Sequence, residues 1–188
     1  MQILIYGSKD FAQTVNELAR HCGHQVVGMV DDFRTGDGID GNLISVTNDF
    51  PAKNYGFAIA IGYSNLQARW QAWKKIRSLG YRAPALIHPR AYLADSVNVS
   101  DGSMIMAGSN LDVRVNVGEL AVIWPGACIS HDSTVGSNSF VSPNATLCGH
   151  VNLGSNCFVG AGAAIADHCD VPPNTFIKML GRYKQESK

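Results

Sequence analysis

The sequence predicts two folds in tandem: a small α/β domain at residues 1–86, and a parallel β-helix at residues 87–178 that is followed by a polar tail at residues 179–188. Two observations predict this division. In the first half, apolar runs of strand length alternate with segments of helical period. From residue 87 onward an aliphatic residue recurs at every sixth position, which is the signature of a β-helix.

The N-terminal domain alternates strand and helix patterns. Apolar runs of strand length occupy residues 3–6, 25–30 and 57–61, and helical patterns occupy residues 11–21 and 65–79. The apolar positions of the two helices are Phe11, Val15, Leu18, Ala19 and Cys22, and then Leu66, Trp70, Trp73, Ile76 and Leu79. Arg69 is expected on the solvated face of the second helix. This alternation is typical of a small Rossmann-like parallel sheet with crossover helices.

The β-helix prediction depends on sixteen positions spaced by six residues, which are all Ile, Leu or Val although these types fill only 41 of the 188 positions. They are Ile87, Leu93, Val99, Ile105, Leu111, Val117, Ile123, Ile129, Val135, Val141, Leu147, Leu153, Val159, Ile165, Val171 and Ile177. Three hexads make one triangular coil, so residues 18 apart stack about 4.8 Å from each other. Such a solenoid has a filled interior, which places any site on an outer face, at an end or between subunits.

Composition excludes several classes of protein. Fifteen basic and fifteen acidic residues give a net charge of zero, so nothing drives binding to a nucleic-acid backbone. No apolar stretch approaches the ~20 residues that span a bilayer, and the start, MQILIYG, has no basic region typical of a secretory signal. We therefore expect a cytoplasmic protein whose five cysteines are reduced thiols. The low charged fraction, 16%, favours assembly into an oligomer.

The first turn after a predicted strand does not support a dinucleotide site. It reads Gly7-Ser8-Lys9-Asp10-Phe11-Ala12, whereas the dinucleotide fingerprint needs three glycines in the pattern G-x-G-x-x-G. Only the first glycine is present. The turn still precedes a helix, whose N-terminal N–H groups can bind a phosphate.

The two-part organisation resembles bacterial sugar O-/N-acyltransferases of the sialic-acid O-acetyltransferase type, a group that includes enzymes making bacillosamine and perosamine derivatives. The most specific segment is ISHDSTVGSNSFVSPNATLCGHVNLGSNCFVGAGA at residues 129–163, with further matches in VDDF at 30–33, IAIGYSN at 59–65 and LIHP at 86–89. The resemblance implies a left-handed β-helix, a homotrimer, and acetyl-CoA bound in the groove between neighbouring subunits.

The resemblance implies that His131 is the general base and that Asp132 supports it. Transfer of an acyl group from a thioester needs a base that accepts the proton of the attacking amine or hydroxyl, and an imidazole that titrates near neutral pH suits this task. Gly149 lies 18 residues after His131, so the two should stack in consecutive coils. Its N–H would then stabilise the oxyanion that develops on the thioester.

The remaining residues expected at the site follow from the same resemblance. We expect the cofactor to contact Gly149, Cys148, His150, Ala161 and Gly162, and the nucleotide-linked amino sugar to contact Gly7, Ser8, Asp31, Asp32, Gly62 and Tyr63. The chain departs from the family at Phe11, where the family has a histidine, and at its C-terminus, where Arg182 and Lys184 are candidate phosphate contacts. No metal is expected.

Three other functions fit parts of the pattern. The same base and oxyanion donor would serve O-acetylation of a sugar hydroxyl, as on sialic acid. His150 and His168 are 18 residues apart and should stack, which raises the question of a zinc enzyme of the carbonic-anhydrase type. The altered first turn and tail would also fit a scaffold that binds without catalysis. The N-acetyltransferase is the leading hypothesis.

Overall fold

The computed structural model of the protein describes residues 1–34 and 41–185. The chain divides into two compact units, Met1–Leu86 and Ile87–Lys188. Within the described residues, no helix is both long enough and apolar enough to cross a bilayer.

The first unit is built on a parallel three-stranded sheet of the described residues, in the order β2-β1-β3. Its strands are β1 (Gln2–Tyr6), β2 (Gln25–Val30) and β3 (Tyr55–Ile59). Helix α1 (Asp10–His21) connects β1 to β2, helix α2 (Leu66–Ser78) follows β3, and short 3-10 helices occupy Ser45–Thr47 and Tyr63–Asn65. The central strand is the most apolar one, as burial on both faces requires. The predicted α/β fold is therefore confirmed.

The two helices bury different fractions of their predicted apolar faces. Helix α1 buries Ala12, Val15, Leu18 and Ala19, close to the predicted stripe. Helix α2 buries Arg69, Ala72, Trp73 and Ile76, so two predictions for α2 were wrong. Leu79 lies at the C-terminal cap and is 43% exposed, whereas Arg69 is fully buried. Burial in turn lowers the pKa of the Arg69 guanidinium to about 9.

The second unit is a parallel β-solenoid in which each hexad contributes a two-residue strand. The strands are β4 (Leu86–Ile87), β5 (Tyr92–Leu93), β6 (Asn98–Val99), β7 (Met104–Ile105), β8 (Asn110–Leu111), β9 (Asn116–Val117), β10 (Val122–Ile123), β11 (Cys128–Ile129), β12 (Thr134–Val135), β13 (Phe140–Val141), β14 (Thr146–Leu147), β15 (Asn152–Leu153), β16 (Phe158–Val159), β17 (Ala164–Ile165), β18 (Asp170–Val171), β19 (Phe176–Ile177) and β20 (Arg182–Tyr183). Every third strand pairs in one sheet. Face 1 runs from β4 to β19, face 2 from β5 to β20 and face 3 from β6 to β18.

The register within each face is the predicted one. Residues 18 apart are paired, as in Ile129 with Leu147 and Val135 with Leu153. The aliphatic residue of each hexad is the second residue of its strand, and those from Ile105 to Ile177 form one buried column together with the small residues of the corners. The structure is thus consistent with the left-handed β-helix expected from the hexads.

Buried serines at the corners are satisfied by the backbone of the next coil. The Ser133 hydroxyl donates to the Cys148 carbonyl at 2.9 Å and accepts the Val151 N–H at 3.1 Å. Ser139 makes the matching pair of bonds with Gly154 and Cys157. These bonds explain why small hydroxyl residues are tolerated inside an aliphatic column, since a buried hydroxyl without a partner would destabilise the fold.

The solenoid continues beyond the last predicted hexad. Residues 179–188 are expected as a polar tail, but β20 lies within them and pairs with β17, Ala164 opposite Arg182 and Ile165 opposite Tyr183. Tyr183 occupies the next hexad position, six residues after Ile177, with an aromatic ring in place of an aliphatic side chain.

Candidate active site

The turn between β11 and β12 places His131 and Asp132 at the corner between faces 2 and 3. We call this the His131 corner, and define it by the paired turn residues of four consecutive coils. These are Val113 and Arg114, His131 and Asp132, Gly149 and His150, and Asp167 and His168. The second residue of each pair has a left-handed backbone, with φ between 57° and 59°, so the side chains of each position line up along the solenoid.

His131 and Asp132 form a hydrogen-bonded pair. The imidazole Nδ1 lies 2.9 Å from the Asp132 Oδ2, and the histidine side chain is 47% exposed. When Nδ1 carries the hydrogen and donates it to the carboxylate, Nε2 holds the lone pair. An imidazole oriented in this way can accept a proton from a group that approaches Nε2.

Arg114 clamps the same carboxylate and was missed by the sequence analysis. Its Nε lies 2.6 Å from the Asp132 Oδ1 and its Nη2 lies 2.9 Å from Oδ2. Hydrogen bonds from Arg114 and then from His131 hold the pKa of the Asp132 carboxyl far below its usual range. The signal was present in the sequence, because Arg114 is one 18-residue coil before Asp132.

Two more histidines extend the corner toward the C-terminus. The rings of His150 and His168 are stacked, with centroids 4.5 Å apart and planes 8° apart, which confirms the predicted column. His150 also meets the His131 ring edge to face at 5.1 Å, and its Nε2 lies 3.8 Å from the Asp132 Oδ2.

The corner contains a set of metal-ligand types among the described residues. His131, Asp132 and His150 each offer one ligand atom, and these atoms lie within 4.8 Å of one another. However, the Arg114 guanidinium occupies both oxygens of Asp132. A divalent cation at this place would have to displace a bidentate, charge-assisted contact, so the arrangement disfavours the zinc hypothesis.

Gly149 lies directly beside the His131 ring. A Cβ on Gly149 would come within 2.8 Å of the His131 Cε1 and 2.9 Å of Nε2, so only glycine leaves the ring its present place. The predicted stacking of the two residues is therefore confirmed. The Gly149 N–H, however, donates to the Asp167 Oδ1 at 3.1 Å, a contact that the sequence analysis did not anticipate.

A cavity of about 500 Å³ opens on face 2 near the C-terminal end of the solenoid. It is lined by Cys148, Ala164, Ile165, Ala166, Arg182, Tyr183 and Lys184. Small residues form its floor and two cations lie at its edge, a combination that suits an extended thiol-bearing ligand with phosphate groups. Burial, followed by the nearby Asp167, raises the pKa of the Cys148 thiol, which disfavours Cys148 as a nucleophile.

Ala161 and Gly162 are not at the His131 corner. They form the turn between β16 and β17, which is the corner between faces 1 and 2. Within one chain the structure therefore separates these two expected cofactor residues from Gly149 and His150 by the width of face 2.

The expected substrate residues of the first unit gather at the carboxyl ends of its parallel strands. Gly7 follows β1 with φ of 115°, and a Cβ there would approach the Ala60 carbonyl oxygen to 2.9 Å. Ser8 donates its hydroxyl to the Asp31 Oδ2 at 2.6 Å. Gly62 and the half-exposed Tyr63 follow β3. This edge is where ligands bind in open α/β sheets.

Asp32 has a structural set of partners. Its Oδ1 accepts the Leu43 N–H at 2.7 Å, and its Oδ2 accepts from the Tyr6 hydroxyl at 2.9 Å and the Lys75 ammonium at 3.1 Å. Burial alone would raise the pKa of Asp32, but these three donors together lower it. Asp32 thereby joins β1, the segment after β2 and helix α2, while Asp31 is the acid that faces the first turn.

Known protein families match both parts of the chain. The PglD N-terminal domain matches residues 2–76, and the bacterial transferase hexapeptide (six repeats) matches residues 132–167. The second match includes Asp132 and Gly149. No curated protein matches the chain.

Solved structures match both parts together. The acetyltransferase domain of PglB from Neisseria gonorrhoeae FA1090 has a TM-score of 0.85 at 24% identity and covers 95% of this chain and 88% of that chain. The same domain in complex with acetyl coenzyme A is 27% identical, with a TM-score of 0.68, and covers 94% and 95%.

A mutant of perosamine N-acetyltransferase from Caulobacter crescentus, in complex with CoA and GDP-perosamine, is similar too. It has a TM-score of 0.79 at 22% identity and covers 99% of this chain and 98% of that chain. The resemblance that the sequence predicts is confirmed by these matches and by the two family models.

Proposed function

We propose that this chain, which resembles bacterial sugar acyltransferases over nearly its whole length, transfers the acetyl group of acetyl-CoA to the amino group of a nucleotide-linked amino sugar. The observation that carries the proposal is the His131–Asp132 pair, with Nδ1 2.9 Å from the carboxylate. The similar Neisseria and Caulobacter proteins, which bind acetyl coenzyme A or CoA with GDP-perosamine, support it.

In the proposed reaction the sugar amine attacks the carbonyl carbon of the thioester directly. His131 accepts a proton from the attacking nitrogen at Nε2, and Asp132 stabilises the imidazolium that forms. The C–S bond then breaks as the carbonyl reforms, and the CoA sulfur leaves and receives the proton from His131. The products are the N-acetylated sugar and CoA thiol.

The oxyanion of the tetrahedral intermediate needs a donor. Gly149 N–H is the proposed one, and its contact with Asp167 at 3.1 Å means that the Asp167 carboxylate has to turn away when the thioester binds. Asp167 is exposed, so this rotation is not hindered by packing.

We further propose that acetyl-CoA occupies the face 2 cavity, with its phosphates near Arg182 and Lys184 and its thioester near His131. Ala161 and Gly162 lie at the opposite corner of face 2, so they fit the cofactor site only if a neighbouring subunit supplies them. The proposal therefore includes a homotrimer with the cofactor between subunits. It also includes a cytoplasmic location, which suits five cysteines without a disulfide.

The test is thiol release from acetyl-CoA with a panel of UDP-, dTDP- and GDP-linked amino sugars and free sialic acid. We expect turnover with one amino sugar, and a loss of at least about 10²-fold in His131→Ala. His168→Ala, which removes a histidine from the same corner, is the matched control and should keep its rate. Full turnover by a folded His131→Ala protein would contradict the mechanism, and turnover with sialic acid alone would change the reaction to O-acetylation.

A further inference from the structure

We propose that Arg114 is a positioning residue of the acetyl transfer, which holds Asp132 in the orientation that keeps the hydrogen of His131 on Nδ1. This inference rests on the proposed function of His131 as the base. Arg114 lies one coil before the pair and acts on His131 through Asp132 alone. Neither family match that covers part of the chain includes Arg114.

The contact geometry is that of a planar fork on a carboxylate. Nε and Nη2 of Arg114 meet Oδ1 and Oδ2 of Asp132 at 2.6 and 2.9 Å, and Oδ2 is also the atom that His131 Nδ1 meets at 2.9 Å. Two parallel hydrogen bonds fix the plane of a carboxylate, whereas one bond leaves it able to rotate. The orientation of Oδ2 toward His131 is therefore set by Arg114.

The backbone holds both partners in place. The Asp132 N–H donates to the Val113 carbonyl at 3.0 Å, and the Arg114 N–H donates to the Ser96 hydroxyl at 2.9 Å. Both residues have left-handed backbones, φ 58° for Arg114 and 59° for Asp132. The solenoid register thus delivers the guanidinium to the carboxylate without help from other side chains.

A competing partner makes this orientation matter. His150 Nε2 lies 3.8 Å from the same Oδ2, so a carboxylate that is able to rotate has a second imidazole within reach. Loss of the fork would let Asp132 turn from His131 to His150. His131 would then lose the hydrogen bond that selects its tautomer, and part of the population would carry the hydrogen on Nε2, where it blocks the base.

The charge of Arg114 acts in the same direction as its geometry. The guanidinium holds the pKa of Asp132 far below its usual range, so the carboxylate accepts hydrogen bonds throughout the pH range in which histidines titrate. A lysine at this position would supply the charge but a single point of contact in place of the fork.

The experiment compares Arg114→Ala and Arg114→Lys with the unmodified protein and with Arg90→Ala. Arg90 is an exposed arginine of the same unit, so its removal controls for the loss of one positive charge. Far-UV circular dichroism and melting temperature check that each variant folds. If Arg114→Ala fails to fold, Arg114→Lys carries the test.

The first readout is the tautomer of His131 in the resting protein, from nitrogen-15 chemical shifts of its ring. The signal is assigned by its absence from His131→Ala. We expect the Nδ1–H form in the unmodified protein and in Arg90→Ala, and a shift toward the Nε2–H form in Arg114→Ala. An unchanged tautomer in a folded Arg114→Ala protein would overturn the inference. Because this readout needs no substrate, it decides the inference even if the proposed acetyl transfer fails.

The second readout separates kcat from KM. A misoriented base slows the chemical step, so we expect Arg114→Ala to lower kcat about 10- to 100-fold and to leave both KM values within about twofold. Added guanidinium ion should restore part of the kcat of Arg114→Ala and none of that of His131→Ala. An unchanged kcat, or a change in KM alone, would contradict the positioning role.

Discussion

The His131 ring occupies a space that exists because its neighbour in the next coil lacks a side chain. We predict that Gly149→Ala keeps the fold, because the clash falls on an exposed ring that can move, and lowers kcat about 10- to 100-fold because the ring is displaced. Steady-state kinetics with the accepted substrate measure this loss.

A double variant shows whether Gly149→Ala acts through the ring. If it does, adding Gly149→Ala to His131→Ala should produce no further loss of rate. A further tenfold loss in the double variant would instead assign the effect to the Gly149 N–H.

Asp167 competes with the thioester for that N–H. We predict that Asp167→Ala lowers the KM for acetyl-CoA by roughly threefold to tenfold, because a hydrogen bond to a charged group no longer has to be broken when the cofactor binds. Asp170→Ala, which removes an exposed carboxylate on face 3, is the control and should leave KM unchanged. A higher KM in Asp167→Ala would mean that the carboxylate contacts the cofactor.

Asp32 should stabilise the first unit in a pH-dependent way. We predict that Asp32→Asn lowers the free energy of unfolding by about 1–3 kcal/mol at neutral pH, since its three donors lose a charged acceptor. The folded pKa of Asp32 is lower than its ordinary value of 3.8. Its contribution is therefore complete above that value and is lost as the pH falls through the folded pKa.

Urea unfolding at neutral pH and in acid measures this difference. The stabilities of the unmodified protein and of Asp32→Asn should converge as the pH falls below 3.8. The exposed Asp49→Asn is the control and should match the unmodified protein at both pH values. A difference that grows in acid would contradict this role of Asp32.

Single residues were predictable where the coil spacing determines their neighbours. The stacking of His131 on Gly149 and of His150 on His168 follows from the 18-residue register. Arg114 was missed because a long charged side chain at a turn is ordinarily solvated, and only the register shows that it lies one coil from Asp132. The burial of Arg69 was missed because its position in the helix pattern carries no apolar signal.

Strands of the solenoid were predictable from sequence because each hexad repeats one local conformation and its aliphatic residue has a single place to go, the interior. Helix α2 was less predictable, since a short helix on a small sheet buries whichever stripe the sheet covers. That stripe centres on Ala72 and Trp73, not on the larger Leu66 and Leu79.

The glycines that follow the aliphatic residues of face 3 are a structural requirement of the coil. A Cβ on Gly136 would overlap the backbone of Gly154 and Ser155 in the next coil. We predict that Gly136→Ala lowers the free energy of unfolding by about 1–3 kcal/mol, because neither backbone can move without disturbing the sheet. Chemical denaturation measures the loss.

Gly62→Ala is the comparison, since a Cβ there meets nothing within 4 Å. It should leave the stability unchanged or raise it slightly. Equal stabilities for Gly136→Ala and Gly62→Ala would show that the coils can separate locally.

For the protein as a whole, we predict a trimer. The described face 2 cavity has an open side, and two expected cofactor residues lie at the far corner of that face. Light scattering at micromolar concentration should give three times the chain mass of 20.2 kDa. A monomer would remove the groove between subunits and the proposed cofactor site with it.

The stacking of coils also makes the solenoid a graduated ruler. Each coil advances by one strand spacing, so the three steps from His131 to Gln185 span about 14 Å. Deleting or inserting 18 residues beyond His131 would shorten or lengthen this span by one graduation while leaving the corner itself unaltered. The number of residues after His131 therefore sets, in whole coils, how much of a long and flexible donor molecule one chain can grip.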